Sequence, residues 1–97
     1  MTDFILADND DNPVLTAAAY EVKVFEDDIT NSNYKRVGIS IPSETNINFS
    51  NLSDKLGTVV KCVVDSNVIV SGTLFGIAKS TPMTSTFTEY EFSINIS

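Results

Sequence analysis

Histidine and tryptophan are absent from the sequence, and cysteine occurs once, as Cys62. Without histidine, Ser-His-Asp and Cys-His catalytic arrangements and histidine-ligated zinc sites are excluded. The four glycines are isolated from one another, so there is no glycine-rich phosphate loop. A single cysteine forms no intrachain disulfide, which is more typical of an intracellular or intravirion protein than of a secreted one. We therefore expect a protein that is not an enzyme and that uses no cofactor or metal.

Basic residues are also scarce, with six Lys and Arg against 13 Asp and Glu, for a net charge of −7. Residues 1–30 hold eight acidic residues and one basic residue, whereas residues 31–97 hold five of each. Binding to nucleic acid depends on clustered Lys and Arg, so we expect no nucleic-acid partner. A concentrated negative charge is compatible with a basic protein partner.

Long apolar runs are missing as well. The first residues, MTDFILADNDD, hold an apolar run of only four residues beside acidic ones, which is unlike a signal peptide. No stretch is long enough to cross a membrane as a helix, so we expect no membrane partner. These features favour a location in a virion or in the cytoplasm of a host cell.

What the sequence does contain is a dense run of Val and Ile over residues 58–77, which is interrupted by Asp65-Ser66-Asn67. Val and Ile suit a pleated strand, and Asp, Ser and Asn suit a turn. The pattern predicts a β-hairpin with a three-residue connection. The second strand changes phase at Ser71-Gly72, where we expect a β-bulge. That bulge would turn four residues towards the core: Val68, Val70, Phe75 and Ile77.

Alternation of apolar and polar residues predicts further strands. It is clearest over residues 86–97, where Tyr90, Phe92, Ile94 and Ile96 would face the core. If this strand lies at a sheet edge, its backbone is free to pair with a partner. Residues 4–7, 20–24, 35–41 and 46–49 also read as strands. A helical turn is predicted over residues 50–57, capped by Ser50 or Ser53.

About seven short strands without βαβ alternation predict one all-β domain that covers residues 1–97. The expected architecture is a small antiparallel β-sandwich, immunoglobulin-like, or a partly closed β-barrel. The stretch FILADNDDNPV resembles the strand-turn-strand opening of immunoglobulin-like sandwich modules, which implies a sandwich of this kind.

Two groups of carboxylates invite a chemical interpretation. Asp8-x-Asp10-x-Asn12 matches the first three ligand positions of a calcium loop, but Pro13 stands where that loop needs glycine. Glu89 and Glu91 lie on one strand face, roughly 6–7 Å apart, which overlaps the spacing of glycosidase carboxylates. We interpret the first group as a solvated acidic turn and the second as a solvated strand face.

The resulting hypothesis is a non-enzymatic structural or interaction protein, a small component of a larger assembly such as a bacteriophage virion, in a head-decoration, tail or connector role. Its partners would be proteins, including further copies of itself. An acidic inhibitor that mimics nucleic acid and binds a basic protein is the alternative, and a carbohydrate-binding or adhesive module is a weaker one. The candidate contact residues are the acidic groups of the first third and one outward-facing aromatic residue: Asp8, Asp10, Asp11, Phe25, Glu26, Asp27 and Asp28.

Overall fold

The structure, a computed structural model, describes residues 1–25, 33–45, 47–81 and 86–96. The elements in chain order are β1 (Thr2–Asp8), β2 (Pro13–Ala19), β3 (Glu21–Phe25), β4 (Tyr34–Pro42), α1 (Phe49–Ser53), β5 (Val59–Val64), β6 (Asn67–Ser80) and β7 (Phe87–Asn95). The all-β prediction is confirmed. In the described part of the chain, no helix is long and apolar enough to cross a membrane.

All seven described strands belong to one antiparallel sheet, in the order β2-β1-β5-β6-β7-β4-β3. The two edge strands, β2 and β3, follow each other in the chain and meet at Tyr20, whose N–H donates to the carbonyl of Ser40. The sheet therefore curls until β2 packs on β4. This is the partly closed barrel among the predicted architectures.

The inner face of the curled sheet forms the core. On β4 and β7 every second residue is buried, as the alternation predicts. Two ring pairs fill its centre, with Phe92 at 5.9 Å from Phe4 and 6.4 Å from Tyr90 between ring centroids. Cys62 is also fully buried, and desolvation raises the pKa of its thiol to about 12. Cys62 therefore acts as a small apolar residue of the core. The fully buried core includes Phe4, Leu6, Ala19, Val37, Leu52, Val60, Cys62, Leu74, Phe92 and Ile94.

The β5–β6 hairpin is present, but its turn is tighter than predicted. Asp65 and Ser66 alone form the turn, both with positive φ (48° and 72°), and Asn67 already pairs with Val64. Two residues in the left-handed region are the signature of a type I′ turn, whose twist matches that of the flanking strands. The turn is also tied to β1, because the N–H of Asp65 donates to the carbonyl of Asp3 at 3.1 Å.

The bulge predicted at Ser71-Gly72 is wrong. The register of β6 shifts at two other places. Ile69 is an extra residue in its pairing with β5, and Phe75 is an extra residue in its pairing with β7. Val68 and Phe75 consequently face outward, exposed by 57% and 52%, whereas Val70 and Leu74 are buried. Ile77 packs partly against the core, as expected.

Gly72 has a different role from the one predicted. A Cβ atom at this position would lie 2.1 Å from the carbonyl oxygen of Asn95, so only glycine lets β6 approach β7 this closely. A glycine in a strand marks either a bulge or a close backbone approach, and here it marks the second.

The structure defines which strands lie at the sheet edges and which residues at the strand ends are exposed. β7 lies between β6 and β4, so it is not an edge strand. Ile96 follows the last residue of β7 and is 41% exposed instead of buried. Tyr20, at the corner between β2 and β3, is 55% exposed, and Val24 is 38% exposed because β3 has a neighbour on one side only in the described sheet.

The predicted helical turn exists, but it begins earlier. α1 starts at Phe49, and Asn48 caps it by accepting the N–H of Asn51 on its side chain, so neither predicted serine is the cap. Residues 47–49 therefore form no strand. Gly57 closes the following turn with φ +85°, and its N–H donates to the carbonyl of Leu74.

Candidate interaction surface

The acidic turn, residues 8–12, joins β1 to β2. Oδ1 of Asp8 accepts the N–H of Asp10 and the N–H of Asn12, each at 2.9 Å. The hydrogen bond from Asn12 is the main cause that holds the pKa of the Asp8 carboxyl below its ordinary value. Asp11 has φ +66°, the left-handed conformation that this kind of turn requires. Asp8 thus stabilises the turn itself.

Two lysines face the same turn. Nζ of Lys61 lies 2.7 Å from Oδ1 of Asp11, and Nζ of Lys55 lies 3.9 Å from Oδ2 of Asp8. Among the described residues there is no group of three or more His, Cys, Asp or Glu placed to hold a metal ion. Much of the negative charge in this turn is therefore balanced by lysines of the same chain.

Phe25 lies elsewhere, on the outer face of the sheet, as the break in alternation indicates. It pairs with Arg36 across β3 and β4, and the guanidinium carbon of Arg36 sits 5.0 Å from the centre of the Phe25 ring. The ring extends over Gly38, where an added Cβ would come within 2.9 Å of it. Phe25 is half-buried on the outside because a glycine leaves space for its ring and an arginine covers part of it.

Arg36 is fixed from a second direction. Its Nη1 atom lies 2.6 Å from Oε1 of Glu91 on β7, and both side chains are only about one-third exposed, at 29% and 34%. A guanidinium held between a ring and a carboxylate has little freedom left. Arg36 therefore joins three adjacent strands on the outer face.

A pair of aromatic rings extends this surface. Tyr34 meets Phe75 edge to face, with 5.8 Å between the ring centroids. Phe75 points outward because it follows the buried Leu74, and the register shift at this point places Gly76 on the same face, opposite Ser93. We call the surface formed by Phe25, Tyr34, Arg36, Phe75 and Glu91 the outer aromatic face.

Small residues separate the larger side chains of this region. A shallow groove of about 150 Å³ runs beside Phe25 and over Gly38, Ser40 and Ala78. Its rim carries charges of both signs, on Glu21, Lys23, Lys79, Glu89 and Glu91. Glu89 and Glu91 share the outer face as predicted, but Glu91 is paired with Arg36 whereas Glu89 is exposed. The two carboxylates are therefore in different surroundings.

The predicted contact residues are divided between two places. Asp8, Asp10 and Asp11 belong to the acidic turn, and Phe25 belongs to the outer aromatic face. The predictions for Glu26, Asp27 and Asp28 lie outside the described residues.

The sequence pattern predicts that Phe25 and Glu91 face outward, but it does not bring them together with Arg36. That contact depends on the order β7-β4-β3, which the sequence does not display. Phe75 was assigned to the core because the bulge was placed at the wrong residue.

No protein-family model matches the chain, and neither a curated protein nor a solved structure matches it. Function is therefore inferred from the geometry of these surfaces.

Proposed function

We propose that this chain is a non-enzymatic interaction protein, a small component of a larger assembly such as a bacteriophage virion, and that it contacts its partner through the outer aromatic face. The observation that carries the proposal is the exposure of Phe75, at 52%, directly beside Tyr34 and the fixed side chain of Arg36. Arginine and aromatic residues contribute most of the binding energy in typical protein interfaces.

The face is also well prepared for binding. Arg36 is already held by Phe25 and Glu91, so a partner does not have to order it. Tyr34 and Phe75 lie on two strands that both pair with β7, a central strand of the sheet. A surface that is ordered before binding loses little entropy on association, which suits a protein that is built once into a particle.

The alternative, an acidic mimic of nucleic acid, has less support. Its charges would have to face a basic partner, but Asp8 and Asp11 already face Lys55 and Lys61. It predicts salt-sensitive binding to a basic protein that is lost when five aspartates are changed to Asn: Asp8, Asp10, Asp11, Asp27 and Asp28. The carbohydrate-binding module is weaker still, since Arg36 already lies over the ring of Phe25.

A pair of exposed phenylalanines gives the test of the main proposal. Phe75→Ser removes the ring from the outer aromatic face, whereas Phe49→Ser removes a ring of similar exposure, 43%, from α1. We expect the native protein and the Phe49 variant to be recovered by mass spectrometry in purified particles, and the Phe75 variant to be depleted from them. Circular dichroism verifies that both variants fold.

Absence of the native protein from purified particles would contradict the assembly proposal. Equal recovery of the two variants would show that the outer aromatic face is not the contact surface.

A further inference from the structure

The strand β3 ends the sheet, and its outer edge differs from the other edge. Among the described strands, β3 pairs with β4 on one side and with no strand on the other, although β1 comes close to it there. β2, at the opposite edge, packs on β4 as the sheet curls. In an antiparallel strand, alternate residues direct N–H and C=O groups away from the paired neighbour. An edge of this kind is suited to receive one more strand.

The side chains along β3 follow a pattern that is uncommon for a solvent-exposed edge. Tyr20 and Val24 lie on the inward parity with Val22 but are 55% and 38% exposed. Glu21 and Lys23 lie together on the outer face, with 3.3 Å between their charged atoms. Both are more than half exposed, so this pair within one strand contributes little to stability.

We propose that β3 pairs with β3 of a second copy of this chain, antiparallel and about a two-fold axis at Val22. In this register, Glu21 of each copy faces Lys23 of the other, so that two ion pairs form across the axis. Tyr20 of each copy faces Val24 of the other, which covers the two apolar side chains that the edge leaves exposed.

Charge selects this register over its neighbour. A two-fold axis at Lys23 would place the two copies of Lys23 opposite each other and would set Glu21 against Phe25. Like charges directly opposite each other on adjacent strands are destabilising. The axis at Val22 is the arrangement that pairs every charge of β3 with an opposite one.

This contact is separate from the proposed function, because its partner is a second copy of the chain and it uses the edge of β3 instead of the outer aromatic face. The paired strands are only five residues long, so the contact is small and the dimer is expected to dissociate on dilution.

Exchanging the charges of Glu21 and Lys23 distinguishes an effect on folding from an effect on the contact between the two copies. Glu21→Lys creates two Lys–Lys contacts in the dimer, and Lys23→Glu creates two Glu–Glu contacts. We expect each variant alone to dimerise about tenfold more weakly or not at all. An equal mixture of the two variants restores both opposite-charge pairs in a heterodimer, as does the double variant E21K/K23E.

The measurement is sedimentation velocity over a concentration series at low and at moderate salt. Dimerisation of the native protein, loss in each single variant and recovery in the mixture support the proposal. A native protein that stays monomeric throughout the series would overturn it, and so would a dimer that both single variants retain.

Denaturation midpoints of all variants show whether they fold equally well. The variant Phe75→Ser should dimerise normally, so failure of the dimer and failure of the outer aromatic face as a contact surface are distinguishable.

Discussion

The two faces of β4 and β7 are built on opposite principles. Inward, the buried side chains of these strands are apolar apart from Thr88, with Phe92 stacked between Phe4 and Tyr90. Outward, the same strands carry Arg36 and Glu91 among small residues. The inner face is held by volume and close packing, whereas the outer face is held by individual pairs of groups. We expect substitutions inside to change stability and substitutions outside to change binding.

The largest expected effect comes from the inner face. Phe92→Ala removes a fully buried ring and leaves a cavity, which should lower the free energy of unfolding by about 3–5 kcal/mol. Phe75→Ala removes a ring of the same size that is 52% exposed, and it should cost less than about 1 kcal/mol. Urea denaturation followed by circular dichroism compares the two. Similar losses of unfolding free energy in the two variants would contradict this distinction between the inner and outer faces.

A smaller effect is expected from Gly38. In Gly38→Ala, the new Cβ comes within 2.9 Å of the Phe25 ring and displaces it from Arg36. The same substitution made in a Phe25→Ala background meets no ring. The two changes should therefore be coupled by about 1 kcal/mol in a double-mutant cycle of unfolding free energies. Strict additivity would mean that the ring does not rest on Gly38.

Weakening the ion pair between Arg36 and Glu91 should lower the free energy of unfolding by a smaller amount. Glu91→Gln weakens a charge-assisted hydrogen bond between two partly exposed groups, so we expect a loss of about 0.2–1 kcal/mol. The loss should shrink in high salt, because added ions screen the interaction in the native protein. Glu89→Gln, on the same strand face, is the matched control and should leave the unfolding free energy unchanged. A salt-independent effect at Glu91 would point to packing instead of charge.

The smallest change in stability is expected from the acidic turn, where acidification removes the contribution of Asp8. The folded pKa of Asp8 is below its ordinary value, so the native state favours the ionised form. This contribution is fully present above the unfolded pKa and is lost as the pH falls through the lower folded pKa. Thermal unfolding between neutral and acid pH should therefore show a steeper acid loss in the native protein than in Asp8→Asn. Parallel pH profiles would contradict this role for Asp8.

The inner face could be predicted from the sequence because burial of every second residue leaves a visible period. Tyr90 and Phe92 were assigned correctly for this reason. A bulge inserts one residue into that period, and the sequence does not mark which residue is the extra one. Gly72 attracted the prediction because glycine often accompanies a bulge, but it serves the close approach of the Asn95 carbonyl.

The outer face could be predicted only in part. That Phe25 points outward follows from its own strand, but its contact with Arg36 follows from the neighbour that β3 acquires in the sheet. The acidic turn shows the reverse case, since its charge was apparent from the sequence whereas its lysine partners were not. Lys61 comes to Asp11 because β5 pairs with β1, a contact between distant parts of the chain.

The pairing of β1 with β5 also affects how the chain reaches its native state. Phe4 lies opposite Val64, more than half the chain away, so the local β1–β2 hairpin joins β5 only through a distant contact. A long loop must close before that pairing contributes any stability, and proteins dominated by such distant contacts fold in milliseconds to seconds. The β5–β6 hairpin, with its two-residue turn, needs no such search. The nucleus is thus expected in the second half of the chain, with the N-terminal β1–β2 hairpin docking late.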